Sequence, residues 1–242
     1  MNYLGNGFIL FKSCNDIQLL NLRFMKRNSK EQGKVMTKSE KFWNRTAQKY
    51  NRKEKNEEST YGDYVEKINK YLNKDDSILD FGCGTGLIAI GLAGNVKNIL
   101  AIDTSSALIE IAKNNTSERN IKNIEHSCSS LFDQQYKDNS FDAILVLYIF
   151  HLLEDLPSVM KRLHQLLKPE GIVISSTPCM GDKNKFLSTI LKFAGFFGIV
   201  PNINVFTIAE LTNQFSHAGL NIVETELIDT SGQQYFVTAK KN

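Results

Sequence analysis

At 242 residues the chain has room for one large α/β domain with an additional segment. An apolar share of 42 % and a charged share of 23 % exclude collagen-like and fully disordered classes, and four prolines exclude a proline-rich linker. The net charge of +3 is uneven: residues 1–76 carry 16 basic and 10 acidic side chains, residues 77–242 carry 13 and 16, so the larger part is no track for a phosphate backbone.

Residues 1–35 read unlike the rest. An apolar run, Phe8 to Phe11, precedes a basic stretch from Arg23 to Lys34, the reverse of a secretory signal. The expectation is a poorly ordered extension ahead of a natural start at Met36. Residues 36–76 read as a helical cap. Phe42, Trp43, Ala47 and Tyr50 follow a helical period, as do Val65, Ile68, Tyr71 and Leu72. Asn51 to Glu58 reads as a charged, loop-like break between them.

From Ser77 strands and helices alternate. Ser77–Phe81 is a short apolar strand, Leu87–Ala93 a helix, Asn98–Ile102 a strand running into Asp103, and Ser105–Arg119 a helix. Asn123–Ser127 is a third strand. Phe141–Leu147 is a fourth and the most apolar, which places it centrally. Leu156–Lys168 is a helix with Pro157 in its first turn, and Pro169–Gly171 turn into a fifth strand, Ile172–Ser176. Residues 182–206 interrupt the rhythm as a lid insertion. A helix over 207–219 and two strands, about 221–228 and 233–240, close the chain, the strands pairing antiparallel. Repeated βαβ units predict a doubly wound, mostly parallel sheet of seven strands with an antiparallel last strand, behind the helical cap.

Cys14, Cys83, Cys128 and Cys179 form no CxxC pair, so no zinc site, no disulfide framework and a cytoplasmic location are expected. No run of ~20 apolar residues occurs that would span a bilayer.

The chemistry concentrates in Asp80-Phe81-Gly82-Cys83-Gly84-Thr85-Gly86, between a strand and a helix. Glycines there allow a sharp turn and a close backbone approach to a ligand. A dinucleotide loop would place its last glycine at position 87, which is Leu; the spacing is G-x-G-x-G. Asp80 suits a cationic or zwitterionic ligand better than a pyrophosphate. Asp103 ends the second strand, where an acid can accept both hydroxyls of a ribose. The ligand therefore carries a ribose and a positive charge.

These residues resemble the class I S-adenosylmethionine-dependent methyltransferases, closest to the ubiquinone- and menaquinone-biosynthesis-like small-molecule group. The likeness rests on four blocks in order: ILDFGCGTG, AIDTSS, SFDAILVLYIFHLLED and LLKPEGIVISSTP. Trp43, Ala47 and Tyr50 match the cap helix of that group. The resemblance implies a Rossmann-like fold, S-adenosylmethionine as cofactor with S-adenosylhomocysteine as product, and no metal. It implies that Asp80, Gly82, Cys83, Gly84, Thr85 and Gly86 cradle the methionine part. Asp103 would bind the ribose, with Thr104 and Ser105 beside the adenine. Cys128, Ser129 and Ser130 would line the adenine edge, although relatives carry an Asp near Cys128. Leu147 and Tyr148 would face the sulfonium, and Trp43, Tyr50 and Tyr61 would close the site from above.

Several residues keep two readings. His151 and Tyr148 are the candidate catalytic residues, but His151 also reads as a histidine bonded to backbone at a helix start. Cys83 and Cys128 read as small, buried, inert thiols. Trp43 reads equally as packing between cap and sheet. Asp142 reads as structural, at a strand start. His126, His164 and His217 read as solvated or structural.

For the acceptor, Leu147-Tyr148-Ile149-Phe150 contains none of the prolines that mark amino-methyltransferases of nucleic acids and glutamine, and no nucleic-acid partner is expected. Residues 186–200 are mostly apolar and place Phe186, Ile190, Phe193 and Phe197 on one helical face. They read as a lid over a hydrophobic or aromatic acceptor, a dimer contact, a transient membrane contact, or lid core. The expected state is monomer or homodimer. The leading expectation is a small-molecule methyltransferase. A non-catalytic cofactor-binding partner subunit and a nucleotide-dependent oxidoreductase stay open beside it.

Overall fold

Strand Phe141–Leu147 is apolar at nearly every position because both of its faces are covered. Ile144 and Val146 point into one core, Ala143 and Leu145 into the other. The computed structural model describes residues 36–56, 58–182, 203–229 and 233–242. All elements named below belong to one unit, Thr37–Asn242. The expected N-terminal extension 1–35, most of the lid insertion, and with it Phe186, Phe193 and Phe197, lie outside the described residues.

Among the described residues seven strands form one sheet. They are β1 (Ser77–Phe81), β2 (Asn98–Asp103), β3 (Ile124–Cys128), β4 (Phe141–Leu147), β5 (Leu167–Pro178), β6 (Leu220–Asp229) and β7 (Gln234–Lys241). Their order is β3-β2-β1-β4-β5-β7-β6. β1 to β5 pair parallel, and β7 inserts antiparallel between β5 and β6. The Rossmann-like sheet with an antiparallel last strand is therefore the observed fold, with β4 at its centre.

The helices are α1 (Lys38–Asn56), α2 (Glu58–Asn69), α3 (Leu87–Leu92), α4 (Ser106–Glu118), α5 (Leu156–Leu166) and α6 (Ile208–His217). α5 and α6 cover one sheet face through Val159, Met160, Leu163, Leu211 and Phe215. α2 and α3 cover the other through Tyr64, Ile68, Ile88 and Leu92. α1 packs on α4, where Ala47 meets Leu108 and Ile111 beside Trp43 and Tyr50.

Side-chain caps set the helix starts. Ser105 and Asp155 accept from the backbone N–H groups of Leu108 and Ser158. Thr207 and Glu210 cap reciprocally: the Thr207 hydroxyl accepts from Glu210 N at 3.1 Å and the Glu210 carboxylate from Thr207 N at 2.8 Å. Thr207→Ala is expected to lower unfolding stability by about 1 kcal/mol in a urea titration and to leave ligand binding unchanged, because α6 ends far from the glycine loop in sequence and supports only the core.

Four expectations are corrected. The loop-like break expected over Asn51–Glu58 is helical where it is described, since α1 continues to Asn56 and α2 starts at Glu58. Lys, Arg and Glu are good helix formers, and Glu54 turns inward to accept from Tyr61 and Thr85 rather than facing solvent. The helix expected to reach Lys168 stops at Leu166, and Leu167 already pairs with Phe141. The Pro169–Gly171 turn is absorbed into β5 as a register shift, with Glu170 at φ 65°. The third strand starts one residue late, at Ile124, because the Asn123 amide donates to Ala93 O and Val96 O at 2.8 and 3.2 Å.

Candidate active site

β2, β1 and β4 are adjacent and parallel, so Asp103, the Asp80–Gly86 loop and Leu147-Tyr148 emerge at one sheet edge. The chain order reverses between β1 and β4, and a crevice opens at such a switch point. Gly82 N and Cys83 N donate to Ile102 O at 2.8 and 3.0 Å, which folds the loop back across β2. Gly82, at φ +76°, admits no side chain. A Cβ there would stand 2.2 Å from Cδ1 of Ile149.

Asp80 is buried and Asp103 half-buried. Asp103 accepts from Ser105 N at 2.8 Å through Oδ1 and from Gly84 N at 3.2 Å through Oδ2. Burial raises its pKa, and these N–H groups pull it back. Asp80 is 3 % exposed, and its Oδ2 has no partner among the described residues. Burial first, then the charges of Asp103 and Glu54, push Asp80 up to about 7. The same surroundings, burial foremost, push the Cys83 thiol well above its ordinary value, so it is no nucleophile at neutral pH.

A cavity of about 230 Å³ opens over this edge. Trp43, Tyr50, Gly82, Gly84, Asp103, Thr104, Ser130, Leu147 and Tyr148 all line it. A smaller recess of about 40 Å³ is lined by Asp80, Cys83, Tyr61, Glu54 and Tyr64, and shares Tyr50, Gly82, Gly84, Leu147 and Tyr148 with the larger one. Trp43 and Tyr50 meet edge to face at 5.5 Å, and Trp43 packs on α4 rather than on the sheet. Tyr148 takes the left-handed conformation, φ 59°. Its hydroxyl donates to Tyr64 Oη at 2.9 Å, which in turn bonds Ser176 Oγ at 2.9 Å. A bulky non-glycine residue in that region marks local strain held by its surroundings.

Other residues singled out in the sequence do not line either cavity. Thr85 is fully buried and donates to Glu54. Gly86 faces Ala112 behind the loop. The Ser105 hydroxyl caps α4 and donates to Asn44 Oδ1 at 2.7 Å. Ser129 bonds the Tyr136 hydroxyl at 2.5 Å. Cys128 is exposed, not buried, because it ends edge strand β3, and its Sγ lies 3.6 Å from Thr104 O. His151 sits in a 3-10 turn, Phe150–Leu152, and its Nδ1 has no partner, so the backbone bond expected there is absent at that atom. Burial pushes His151 down to about 4 and leaves it neutral at pH 7. His126 bonds Thr116 at 2.8 Å, and Asp142 holds Ser77 N and Lys168, both as structural groups.

Sequence reasoning missed the apolar wall of the larger cavity, formed by Leu131, Phe132, Ile149, Leu152 and Leu153. It also missed Glu54 and Tyr64. A signal for Glu54 existed: it lies four residues after Tyr50, on the same helical face.

The strand order, with β7 antiparallel between β5 and β6, is the Rossmann-like fold of the class I methyltransferases. A family model described as a methyltransferase domain matches residues 50–225. A Rickettsia bellii ubiquinone biosynthesis O-methyltransferase is 29 % identical over 198 residues, which cover 74 % of this chain and 81 % of that protein. A SAM-dependent methyltransferase from Methanosarcina mazei superposes with a TM-score of 0.60 at 20 % identity, covering 72 % of this chain and 96 % of the other. Geranyl diphosphate C-methyltransferase from Streptomyces coelicolor gives 0.62 at 15 % identity, covering 76 % and 78 %. The chain belongs to the methyltransferase-domain family, and it is an S-adenosylmethionine-dependent methyltransferase.

The residues present fit that cofactor. Asp80 offers an unpaired, buried carboxylate oxygen, and Gly82 and Gly84 bring bare backbone to the lining of both cavities. Among the described residues no cluster of His, Cys, Asp and Glu is arranged to hold a metal ion, and no helix is long and apolar enough to cross a membrane.

Proposed function

We propose that the chain methylates a small hydrophobic or aromatic acceptor. The observation that supports this most directly is the apolar wall after β4, Leu147, Ile149, Leu152 and Leu153, faced by Leu131 and Phe132. The likeness to a ubiquinone biosynthesis O-methyltransferase agrees with it.

S-adenosylmethionine, when bound, supplies a methyl group already activated on a sulfonium. The chain's own residues then bind, align and exclude water. In this reading Asp103 accepts the ribose hydroxyls, and Thr104 and Ser130 flank the adenine. Gly82, Cys83 and Gly84 bring backbone against the amino-acid end, and Asp80 accepts its ammonium. Thr85, Gly86, Ser105, Cys128 and Ser129 support those segments from behind. Trp43, Tyr50 and Tyr61 close the cap over them. Tyr148, at the junction of the two cavities, positions the acceptor. His151 lies off the cavity lining and has a depressed pKa, so it is not assigned as the base. A base is required only for acceptors that must lose a proton.

The test uses the full chain, radiolabelled S-adenosylmethionine and a series of phenols that share one hydroxyl pattern and differ in alkyl chain length. Turnover is expected to rise with the alkyl chain, with kcat/KM gaining at least about tenfold over the unsubstituted phenol. Methylation confined to hydrophilic acceptors, or indifferent to the chain, would overturn the proposal.

A further inference from the structure

The smaller recess holds more negative charge than one ligand-binding acid accounts for. Asp80 comes from the end of β1 and Glu54 from α1, and both line it together with Tyr61 and Tyr64. Glu54 is 6 % exposed. No lysine or arginine is among the described lining residues. Asp80 and Glu54 line the same recess, and the charges of Asp103 and Glu54 both act on Asp80, so a ligand cation received there meets a negative surface. Asp80 Oδ2 is buried and unpartnered, so the recess lacks a donor at that atom.

Glu54 is held in place from two sides. Tyr61 Oη donates to its Oε1 at 2.8 Å, and Thr85 Oγ1 donates to its Oε2. Thr85 belongs to the glycine loop, and its carbonyl in turn accepts from Asn115 Nδ2 at 3.0 Å. The cap is thereby fastened to the loop through both oxygens of a carboxylate.

We propose that Glu54 is a specificity-determining residue: with Asp80 it forms a two-carboxylate clamp for the ammonium of the ligand's amino-acid end, so that the cap closes on a cation. This rests on the reading that the recess takes that end of the cofactor. Asp80 supplies the charge from the sheet, and Glu54 supplies it from the element that covers the site. An adenosyl thioether lacking the amino group would leave both carboxylates buried against each other, and the cap would repel it.

The experiment compares S-adenosylhomocysteine with its des-amino analogue, the adenosyl thioether of 4-mercaptobutanoic acid, by calorimetric titration of the full chain. Wild type is expected to prefer S-adenosylhomocysteine by at least about 100-fold. Glu54→Gln keeps the shape: its carbonyl oxygen accepts from one of the two hydroxyls, and the other hydroxyl turns to accept from its NH2; it is expected to cut that preference at least tenfold, with most of the change in the S-adenosylhomocysteine affinity. A purely structural role would weaken both ligands alike, and that result overturns the proposal. So does tighter S-adenosylhomocysteine binding in Glu54→Gln, which would show that Glu54 repels the ligand carboxylate. Glu54→Asp withdraws the charge by one methylene and is expected to lose about threefold of the preference. It serves as the test if the glutamine variant fails to fold, because an unchanged preference in it overturns the clamp. Wild type that binds neither ligand overturns the cofactor reading itself, whereas binding of both with equal affinity overturns only the clamp.

Discussion

Asp80→Asn is expected to melt several degrees above wild type at pH 8 and to bind S-adenosylhomocysteine at least about 100-fold more weakly. Both effects come from one carboxylate held without a full set of partners. Its pKa in the folded chain is about 7, above the ordinary carboxylate value, with burial as the first cause. Between about pH 4 and pH 7 the folded chain therefore holds a proton that the unfolded chain has released, and stability falls as pH rises through that window. Above pH 7 the deficit is constant, on the order of 2–4 kcal/mol. Asparagine carries no such deficit. The gap in Tm between variant and wild type should open from pH 4 to pH 7 and then stay level; a gap of the same size at pH 4 and pH 8 would count against this origin. Binding runs the other way. An ammonium needs the ionised carboxylate, so wild-type affinity should climb up to about pH 7 and then flatten, and the variant should show no such climb.

Asp103→Ala is expected to abolish measurable binding of S-adenosylhomocysteine, a loss of more than about 100-fold, in the same titration. The carboxylate has two tasks. It anchors Gly84 N and Ser105 N, and it stands at the β2 edge of the larger cavity where a vicinal diol can be accepted. Alanine removes the acceptor and leaves two backbone N–H groups to find water, each worth about 1–3 kcal/mol when buried. Asp103→Asn separates the tasks: it can keep one backbone N–H bond while losing the charge, and should fall between wild type and alanine. Asparagine behaving like wild type would show that charge at Asp103 is unimportant.

Much of this is legible in the sequence because the signals are local. The run Phe141–Leu147 is apolar on both faces, and that pattern alone places β4 centrally. The G-x-G-x-G spacing, with an acid two residues before it and another ending the next strand, leads directly to Asp80 and Asp103. Parallel neighbours must bring such strand ends to one edge. What stays hidden depends on distant partners. Glu54 reads as one charge in a solvated run until Thr85, 31 residues on, is placed beside it. Tyr64 meets Ser176 across 112 residues. The start of β5 is hard to read because Pro169 and Gly171 signal a turn, and only pairing with Phe141 shows that the strand already begins at Leu167. The apolar wall goes unread, since Ile149 to Leu153 carry no periodicity of their own.

The hydroxyl chain from Tyr148 through Tyr64 to Ser176 ties the cap to the sheet. Tyr64 rides on α2, where it and Ile68 are buried in the core, so lifting that helix would break the hydrogen bond and expose both side chains. The hydrogen bond is worth about 0.5–1.5 kcal/mol. Burial of Ile68 adds about 1.5–3 kcal/mol. These terms make α2 a fixed wall of the smaller recess, so a ligand meets Tyr61 and Tyr64 already in place.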